Sequence, residues 1–480
     1  MSMSRRSFFV GLAALSAAIA AEPLPVAAAY LPAVAPILNA LDYGVTGDGS
    51  TNDSAALLAF LTLASTKGAV AFLPGNRTYD LGNSSTLVPD GVTVLCGRSA
   101  TIRRSAYPVG GFFGGIGAAG AMIRLGNRCR WSGGTLTTPV TSTTSATSNT
   151  VGTGSKSWTV PAGLDIHVND FMRGLRTSAQ SNYVEGLVTA YSGTTLTINC
   201  TFSNGSGTFT DWTFTQGAVY ACPIVLSAVQ QSTVENVEVT GLWYTGIVLD
   251  GGSPVAATTT KYCTVRDCVV TGAQNRAFYM YQDIARCSLI NCSAEGTASS
   301  PIDYGFNYNA ANPSVANNSI RDSSTIGCQT NLTLFQGFGI GDNCNELSFD
   351  SCVAANVTNT AGNGFSVFFA NVASPQFINI SNCHGKFCGN AGFFVAGASW
   401  VHFNNCQARS NTVAGFKIDQ STNNSTENML TGCEANANGI GIHIANAGTA
   451  NTIITGCRAV NNTTNFTNAG TGTVGAPTTA

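Results

Sequence analysis

Apolar and polar residues recur along the second half of the chain in a six-residue pattern with cysteine in fourth place. The order is an apolar residue, any residue, a turn-forming or polar residue, cysteine, any residue and a small residue. The pattern occurs as VRDCVV (265–270), LINCSA (289–294), FDSCVA (349–354), ISNCHG (380–385), FNNCQA (403–408), LTGCEA (430–435) and ITGCRA (454–459). IRDSST (320–325) fits with Ser323 in place of cysteine, and VENVEV (234–239) with Val237. The shared position thus recurs every 23 to 31 residues, a period typical of repeat architectures: 237, 268, 292, 323, 352, 383, 406, 433 and 457.

A second pattern, a strict alternation led by glycine, accompanies the first and predicts another short strand in each repeat. It reads TGIVLD (245–250), YGFNYN (304–309), NGFSVF (363–368), AGFFVA (391–396), AGFKID (414–419) and IGIHIA (440–445). Units of two or three short strands stack into a right-handed parallel β-helix, with successive coils about 4.8 Å apart. Leucine-rich repeats are excluded because their consensus and helices are missing, and propellers because 23 residues hardly hold four strands.

The cysteines are predicted to point into the core of this solenoid. Cys383 holds the same place as the other repeat cysteines and is expected to face inward. His384 follows it directly and must therefore face outward, so the two side chains cannot bind one metal ion. Cysteine then acts as a small apolar filler. Disulfides between neighbouring coils stay open as an alternative, and Cys388 lies outside the row.

Composition narrows the functional classes. Charged residues make up 10% of the chain and the formal net charge is −2. No nucleic-acid footprint or polybasic membrane patch is therefore present. The 53 glycines and the frequent Asn, Thr and Ser favour short strands and tight turns.

The N-terminus is predicted to be an export signal. SRRSFFVGLAALSAAIAA resembles a twin-arginine signal, with Ser4, Arg5, Arg6 and Phe8 in the expected places. An A-x-A cleavage site at 27–29 precedes Tyr30. Residues 1–29 are therefore assigned to a signal peptide. The mature protein is expected to leave the cytoplasm through the twin-arginine machinery, for the periplasm or the extracellular space.

Residues 41–82, LDYGVTGDGSTNDSAALLAFLTLASTKGAVAFLPGNRTYDLG, resemble the N-terminal segment of pectate-lyase-like β-helix proteins. The matching motifs are Asp-Tyr-Gly at 42–44, Gly-Asp-Gly at 47–49, Asp-Ser at 53–54 and Pro-Gly…Tyr at 74–79. Asn52 or Asp53 is expected to cap a short helix covering the open end of the solenoid. The family includes polysaccharide lyases, polygalacturonase-type hydrolases and phage tailspikes. The resemblance therefore implies the fold and a glycan partner, without fixing the reaction.

Residues 141–216 interrupt the repeat and are predicted to form an inserted small β-module resembling one found in phage tail proteins. Trp158, Tyr183, Tyr191 and Trp212 could stack on sugar rings or form a core of their own. The predicted divisions are thus a cap with the first coils (30–140), the module (141–216), the main coils (217–466) and a disordered C-terminal tail (467–480).

In each glycine-led strand, alternation places the second and fourth residues after the glycine on the outer face. The predicted outward residues are Val248, Asp250, Tyr279, Tyr281, Asn307, Asn309, Ser366, Phe368, Phe394, Ala396, Lys417, Asp419 and His443. A face with exposed aromatic and amide side chains suits an extended glycan. The candidate substrate-binding residues on it are Tyr279, Tyr281, Asn307 and Phe394.

Two clusters of candidate catalytic residues follow from this register. The first combines Asp250, Asp283 and Asp303 with the two tyrosines, at coil spacings that bracket the carboxylate separations of glycoside hydrolases. The second combines Lys417, Asp419 and His443, which offer the base and the cation that a uronate lyase needs. The alternative for each charged residue is that it lies on a solvent-exposed edge of the stacked coils and takes no part in catalysis.

The sequence thus favours an exported polysaccharide-active enzyme, lyase or hydrolase. The alternatives are a tailspike-like glycan-binding adhesin, possible as a homotrimer rather than a monomer, and a purely structural envelope protein. The polygalacturonase motifs are missing. No cofactor or metal site is predicted; calcium is compatible with such a fold, but no acidic cluster identifies a site for it.

Overall fold

The computed structural model describes residues 35–105, 120–138 and 142–479, except 165, 169, 180, 218–220, 242, 252–258, 272, 298–300, 311–318 and 370–372. The predicted export signal, residues 1–29, lies outside these residues. The chain is a right-handed parallel β-helix of about 14 turns, with 57% strand and 5% helix, as predicted. Within the described ranges, neither helix has the length and apolar character that a membrane crossing requires.

Two helices lie at the N-terminal end: a 3-10 helix, Ala40–Tyr43, and an α-helix, Ser54–Lys67. Leu57, Phe60 and Leu61 of the α-helix are buried in the main core, so the helix covers apolar residues of the first coils. The side chain of Asn52 caps the helix by accepting the Ser54 N–H at 3.0 Å.

The first sheet of the solenoid has 19 described strands, mostly of two to four residues. They are Ile37–Asn39, Val70–Leu73, Thr93–Cys96, Arg130–Ser132, Thr233–Glu235, Thr260–Lys261, Thr264–Arg266, Ile284–Ala285, Ser288–Ile290, Ile320–Arg321, Ser324–Ile326, Cys344–Asn345, Ser348–Asp350, Gln376–Ser381, Ser399–Asn404, Ser425–Thr426, Met429–Thr431, Thr449–Ala450 and Ile453–Thr455.

The second sheet has 25 described strands and contains both the short strands after the repeat cysteines and the longer glycine-led strands. They are Asp48–Asn52, Thr78–Asp80, Thr86–Val88, Thr101–Arg103, Ala121–Leu125, Thr135–Thr137, Cys222–Ser227, Glu238–Val239, Trp243–Asp250, Val269–Thr271, Ala273–Tyr281, Ser293–Glu295, Ile302–Asn309, Gln329–Ile340, Val353–Val357, Asn363–Phe368, His384–Lys386, Ala391–Ala396, Gln407–Arg409, Ala414–Asp419, Glu434–Asn436, Ile440–Ile444, Arg458–Val460, Thr464–Asn468 and Thr478–Thr479.

A ladder of six phenylalanines fills the core behind the glycine-led strands. Successive rings lie 4.5–4.9 Å apart with interplanar angles of 4–11°. Because parallel strands stack like residues in register, each inward phenylalanine contacts its neighbours above and below. The ladder comprises Phe278, Phe306, Phe338, Phe365, Phe393 and Phe416.

The cysteines form an inward row as predicted, but one position in the predicted repeat is wrong. Ser324 pairs with Ser288, so the row passes through Cys328, whose Sγ accepts the Cys292 N–H at 3.4 Å. Ser323 lies instead in a second row, where its Oγ accepts the Cys287 N–H at 3.2 Å. The error arose because Thr325 occupies the position that is apolar in the other repeats, so the six residues ending at Thr330 do not match the pattern. All sixteen cysteines are free thiols, and all but Cys96 are buried.

The inserted module is an antiparallel sheet of six strands beside a two-stranded ribbon, Asn149–Thr150 with Thr208–Phe209. Trp158, Trp212 and Phe214 are buried in a core of the module's own and pack edge-on or stacked. These two tryptophans are therefore core residues and do not offer open faces to a sugar. The six strands are Ser142–Ser145, Gly154–Thr159, Phe171–Arg176, Tyr183–Ser192, Thr195–Asn204 and Trp212–Gly217.

The C-terminal residues 467–479 differ from the disordered tail that the sequence predicts. Thr471 and Val474 form parallel bridges with Ala450 and Ile453, and Thr478–Thr479 pairs with the last cysteine-associated strand. The segment thereby supplies the hydrogen bonds that the final coil would otherwise lack.

Candidate functional site: a cleft between the module and the solenoid

The register pairs the members of the outward row from coil to coil, but Gly339 and Ser366 in its middle are buried, and Phe394, Lys417 and His443 are partly exposed. Val248 pairs with Tyr279, Tyr279 with Asn307, Phe394 with Lys417, and Lys417 with His443. The strand Gln329–Ile340 contributes Gly339, which lies between Asn307 and Ser366.

The first part of this row is less exposed than predicted. Tyr279 is only 5% exposed, because it lies in a buried cluster beside Val248, stacks on Tyr281 and lies 4.4 Å from the guanidinium of Arg276. Asn307 is 7% exposed and accepts a hydrogen bond from Arg276 Nε at 2.9 Å. Tyr279 and Asn307 therefore support Arg276 rather than offer an open surface to a glycan.

A cleft of about 420 Å³ opens where the module meets the solenoid. The module contributes one wall from the strands Phe171–Arg176, Tyr183–Ser192 and Thr195–Asn204. The solenoid contributes the other wall from consecutive coils. The polar side chains that line the cleft are Tyr183, Glu185, Thr201, Asn204, Tyr244, Asn275, Arg276, Asp303 and Tyr304.

Arg173 of the module joins the two walls. Its guanidinium donates to the Glu185 carboxylate, to Asp303 Oδ2 at 2.7 Å and to the Gln274 carbonyl oxygen at 3.1 Å. The ring of Tyr183 lies 4.3 Å from the guanidinium carbon. The side chains of Arg173 and Asp303 are 2% and 1% exposed, so their charges are paired in a dry contact.

The two carboxylates of this group differ in their surroundings. Burial raises the pKa of Glu185, and the charge of Arg173 opposes that rise. Asp303 Oδ2 also accepts from Asn275 Nδ2 at 3.1 Å, whereas Oδ1 is buried without a hydrogen-bond partner among the described residues. Asp303 lines the cleft, and its Oδ1 retains the capacity to accept a hydrogen bond or a proton.

Arg276 and Tyr304 face the same cleft from adjacent coils. Their positions are paired in the parallel register, and the guanidinium carbon lies 5.5 Å from the Tyr304 ring. Arg276 is held by Asn307 and Asn275, so its orientation is fixed before any ligand enters. Burial raises the pKa of Tyr304, with Arg276 acting in the opposite sense, so the phenol is neutral and a proton donor near pH 7.

The first predicted catalytic cluster is brought together only in part: Asp250 pairs with Tyr281, which stacks on Tyr279, but the three aspartates do not line one site. Asp250 is 1% exposed and interacts with Ser227 Oγ at 3.3 Å. Asp283 lies at a turn, where it pairs with Arg321 at 3.0 Å and accepts from Thr259. Neither residue lines the cleft, and of the three aspartates only Asp303 does. The prediction failed because coil spacing gives the distance between neighbouring strands but not the direction in which each side chain points.

The second predicted cluster is brought together. Lys417 Nζ lies 3.0 Å from Asp419 Oδ2 and 5.5 Å from the Phe394 ring, and His443 is the neighbour of Lys417 on the next coil. Burial lowers the pKa of His443; Lys417 lowers it further, and Asp419 acts in the opposite sense. The group is separate from the cleft.

Sequence reasoning missed Arg173, Glu185, Arg276 and Tyr304. A signal was present for two of them: Arg173 in FMRGL and Glu185 in YVEGL are charged residues flanked by apolar residues and glycine. Such positions are seldom buried without a specific partner. Across the ranges that the structure describes, no group of three or more His, Cys, Asp or Glu side chains is arranged to hold a metal ion.

The first of three comparisons with known structures supports the fold. The A-module of the Azotobacter vinelandii mannuronan C-5 epimerase AlgE4 matches with a TM-score of 0.52 and 14% identity, over 92% of this chain and 99% of that one. The A-module of AlgE6 from the same organism matches with a TM-score of 0.47 and 13% identity, over 92% and 99%. The tailspike protein 3 of bacteriophage CBA120 gives 0.46 and 10%, over 88% of this chain and 57% of that one. No protein-family model and no curated protein sequence matches the chain.

Proposed function

We propose that the protein is a polysaccharide-modifying enzyme that removes the C5 proton of a uronate residue bound in the cleft between the module and the solenoid. The observation that carries this proposal is the pairing of Arg276 with Tyr304 on one cleft wall, beside the unpartnered Asp303 Oδ1. C5-proton removal is the step shared by uronate lyases and by C5 epimerases such as the protein named in the first comparison.

The cleft residues match the needs of that step. A proton next to a carboxylate becomes removable when a fixed cation neutralises the charge that develops on the carboxylate oxygens. Arg276 supplies this cation, because a guanidinium stays protonated and binds carboxylates in a fork. Asp303 Oδ1 is the base that accepts the proton, and the neutral Tyr304 phenol is the acid. In a lyase the phenol protonates the leaving O4; in an epimerase it returns a proton to C5 from the opposite face.

A second candidate function is glycoside hydrolysis. Glu185 and Asp303 are bound by one guanidinium, so their carboxylates are close, and the raised pKa of Glu185 is the property of a general acid. This candidate is weaker, because both carboxylates accept hydrogen bonds from Arg173, and protonation of Glu185 would remove its ion pair with that guanidinium. A non-catalytic, glycan-binding adhesin is the alternative from a different functional class. The proposal also includes export of the protein through the signal peptide at residues 1–29.

The test is a panel of polyuronates and neutral polysaccharides incubated with purified protein in D₂O. Ultraviolet absorbance without deuterium at C5 identifies a lyase, because elimination forms a C4=C5 double bond and leaves no hydrogen on C5. Deuterium at C5 without chain cleavage identifies an epimerase. New reducing ends with neither ultraviolet absorbance nor C5 deuterium identify the hydrolase and overturn the main proposal. Binding without any reaction identifies the adhesin and overturns it as well.

A further inference from the structure

The outward row continues from the cleft toward the C-terminus in unbroken register. Five parallel pairings connect its members one coil at a time. The row runs through Asn307, Gly339, Ser366, Phe394, Lys417 and His443. Asn307, at its start, holds Arg276 of the cleft. Four inter-coil steps separate Asn307 from Lys417, which at about 4.8 Å each gives about 19 Å.

Lys417 is an ordered cation on this row. Its Nζ is held 3.0 Å from Asp419 and 5.5 Å from the Phe394 ring, and its side chain is 20% exposed. Asp419 is itself satisfied by other donors, since its Oδ1 accepts from Asn446 and from the Gln420 N–H at 2.9 Å. The Lys417 ammonium has three N–H groups, and a cation held in place loses little entropy when it binds an anion.

The neighbours of Lys417 extend the same surface. Phe394 is half-buried, and its position before Lys417 in the row offers an apolar surface beside the ammonium. His443, after Lys417, is also half-buried, and its Nδ1 lacks a hydrogen-bond partner in the described part of the chain. A neutral imidazole has one donor and one acceptor nitrogen, which suits sugar hydroxyls.

We propose that Phe394, Lys417 and His443 form a distal subsite for an acidic sugar of the chain whose reacting residue occupies the cleft. The inference rests on the proposed function and extends it, because it identifies the substrate as a polyanion that spans at least four coils of the solenoid. The second predicted cluster is thereby reassigned from catalysis to binding, since it lies too far from Arg276 and Tyr304 to reach the same sugar.

The test compares Lys417→Met with wild type on octasaccharides and trisaccharides of polymannuronate and polygalacturonate. Loss of one charge-assisted contact raises KM for the octasaccharide about tenfold and leaves kcat unchanged. Trisaccharides are too short to span cleft and subsite, so their kinetic constants do not change. Added salt reduces the difference between variant and wild type, because screening weakens the lost attraction.

Lys386→Met is the matched control, because Lys386 belongs to the separate strand His384–Lys386 and not to the outward row. An unchanged octasaccharide KM in Lys417→Met, or an equal change in Lys386→Met, overturns the inference and leaves the proposed function intact. If the wild type transforms no polyuronate, the proposed reaction falls, and octasaccharide binding measured by calorimetry decides the subsite. Weaker octasaccharide binding by Lys417→Met then supports the subsite. Equal binding by variant and wild type, or no binding by the wild type, overturns the subsite.

Discussion

Arg173 Nη2 donates to Asp303 Oδ2 at 2.7 Å and so ties the inserted module to the solenoid at the cleft. The two residues lie 130 positions apart in sequence, and both are almost completely buried. The contact makes the module part of the cleft, because the carboxylate that it orients belongs to the solenoid while the guanidinium belongs to the module.

Replacing Arg173 with Met is expected to lower the free energy of unfolding by about 3–5 kcal/mol. The substitution leaves the buried carboxylates of Glu185 and Asp303 without their cation. Thermal and denaturant unfolding measure the effect. The triple variant Arg173→Met, Glu185→Gln, Asp303→Asn removes the stranded charges and is expected to recover most of the loss.

Arg130→Met is the control for this prediction. Arg130 also pairs with a buried carboxylate, Glu235, but Arg266 pairs with the same carboxylate and remains in the variant. We expect a loss of about 1 kcal/mol or less. Equal losses in the Arg173 and Arg130 variants would show that the Arg173 contact is no stronger than a surface ion pair.

Tyr304→Phe and Arg276→Gln are expected to lower kcat on a polyuronate by about 10²–10⁴-fold while the protein stays folded. Tyr304→Phe removes only the phenolic oxygen of a half-buried side chain. Asp283→Asn is the comparison, because Asp283 lies outside the cleft and pairs with a partly exposed arginine. Activity of either cleft variant that equals that of Asp283→Asn contradicts the assignment.

The solenoid could be predicted from sequence because its register repeats. A side chain that faces inward in one coil stacks on an inward side chain in the next, so cysteine, glycine and phenylalanine recur at matching places. The inward phenylalanines and the outward Lys417–His443 pair follow from this alternation alone. The one coil that was aligned wrongly, at Ser323, is the coil in which a threonine, Thr325, replaces the apolar residue of the repeat.

The cleft could not be predicted in the same way. It depends on how the module packs on the solenoid, and no periodicity relates Arg173 to Asp303 or Tyr183 to Tyr304. Burial of the outward residues Tyr279 and Asn307 also follows from non-repeating neighbours such as Arg276. Coil spacing therefore identified Asp303 as a candidate but grouped it with Asp250 and Asp283, which lie elsewhere.

His443 is expected to titrate below its ordinary pKa of 6.5, because burial and then Lys417 disfavour its charged form. The folded pKa is lower than the unfolded one, so the stabilising contribution is present above pH 6.5. It is lost as pH falls through the folded pKa. Lys417→Met should move the His443 pKa upward, and NMR titration of the four histidines measures the shift.

His384 provides the reciprocal control. Burial and then Lys386 lower its pKa in the same way. Lys386→Met should therefore shift His384 and leave His443 unchanged, whereas Lys417→Met should do the reverse. A shift of both histidines in either variant would mean that a general change of structure, and not the neighbouring ammonium, sets the two values.

The cysteine row is expected to tolerate serine better than a larger apolar residue. Cys383 Sγ lies 3.1 Å from the Ser381 carbonyl oxygen, and Ser323 makes the corresponding bond to the Arg321 carbonyl oxygen at 2.9 Å in the second row. Cys383→Ser can therefore satisfy its hydroxyl and should cost about 1 kcal/mol or less. Cys383→Leu overpacks a position between two coils and should cost about 1–3 kcal/mol. Chemical denaturation ranks the two variants, and a more stable Leu variant would show that the row holds unfilled space rather than closely packed thiols.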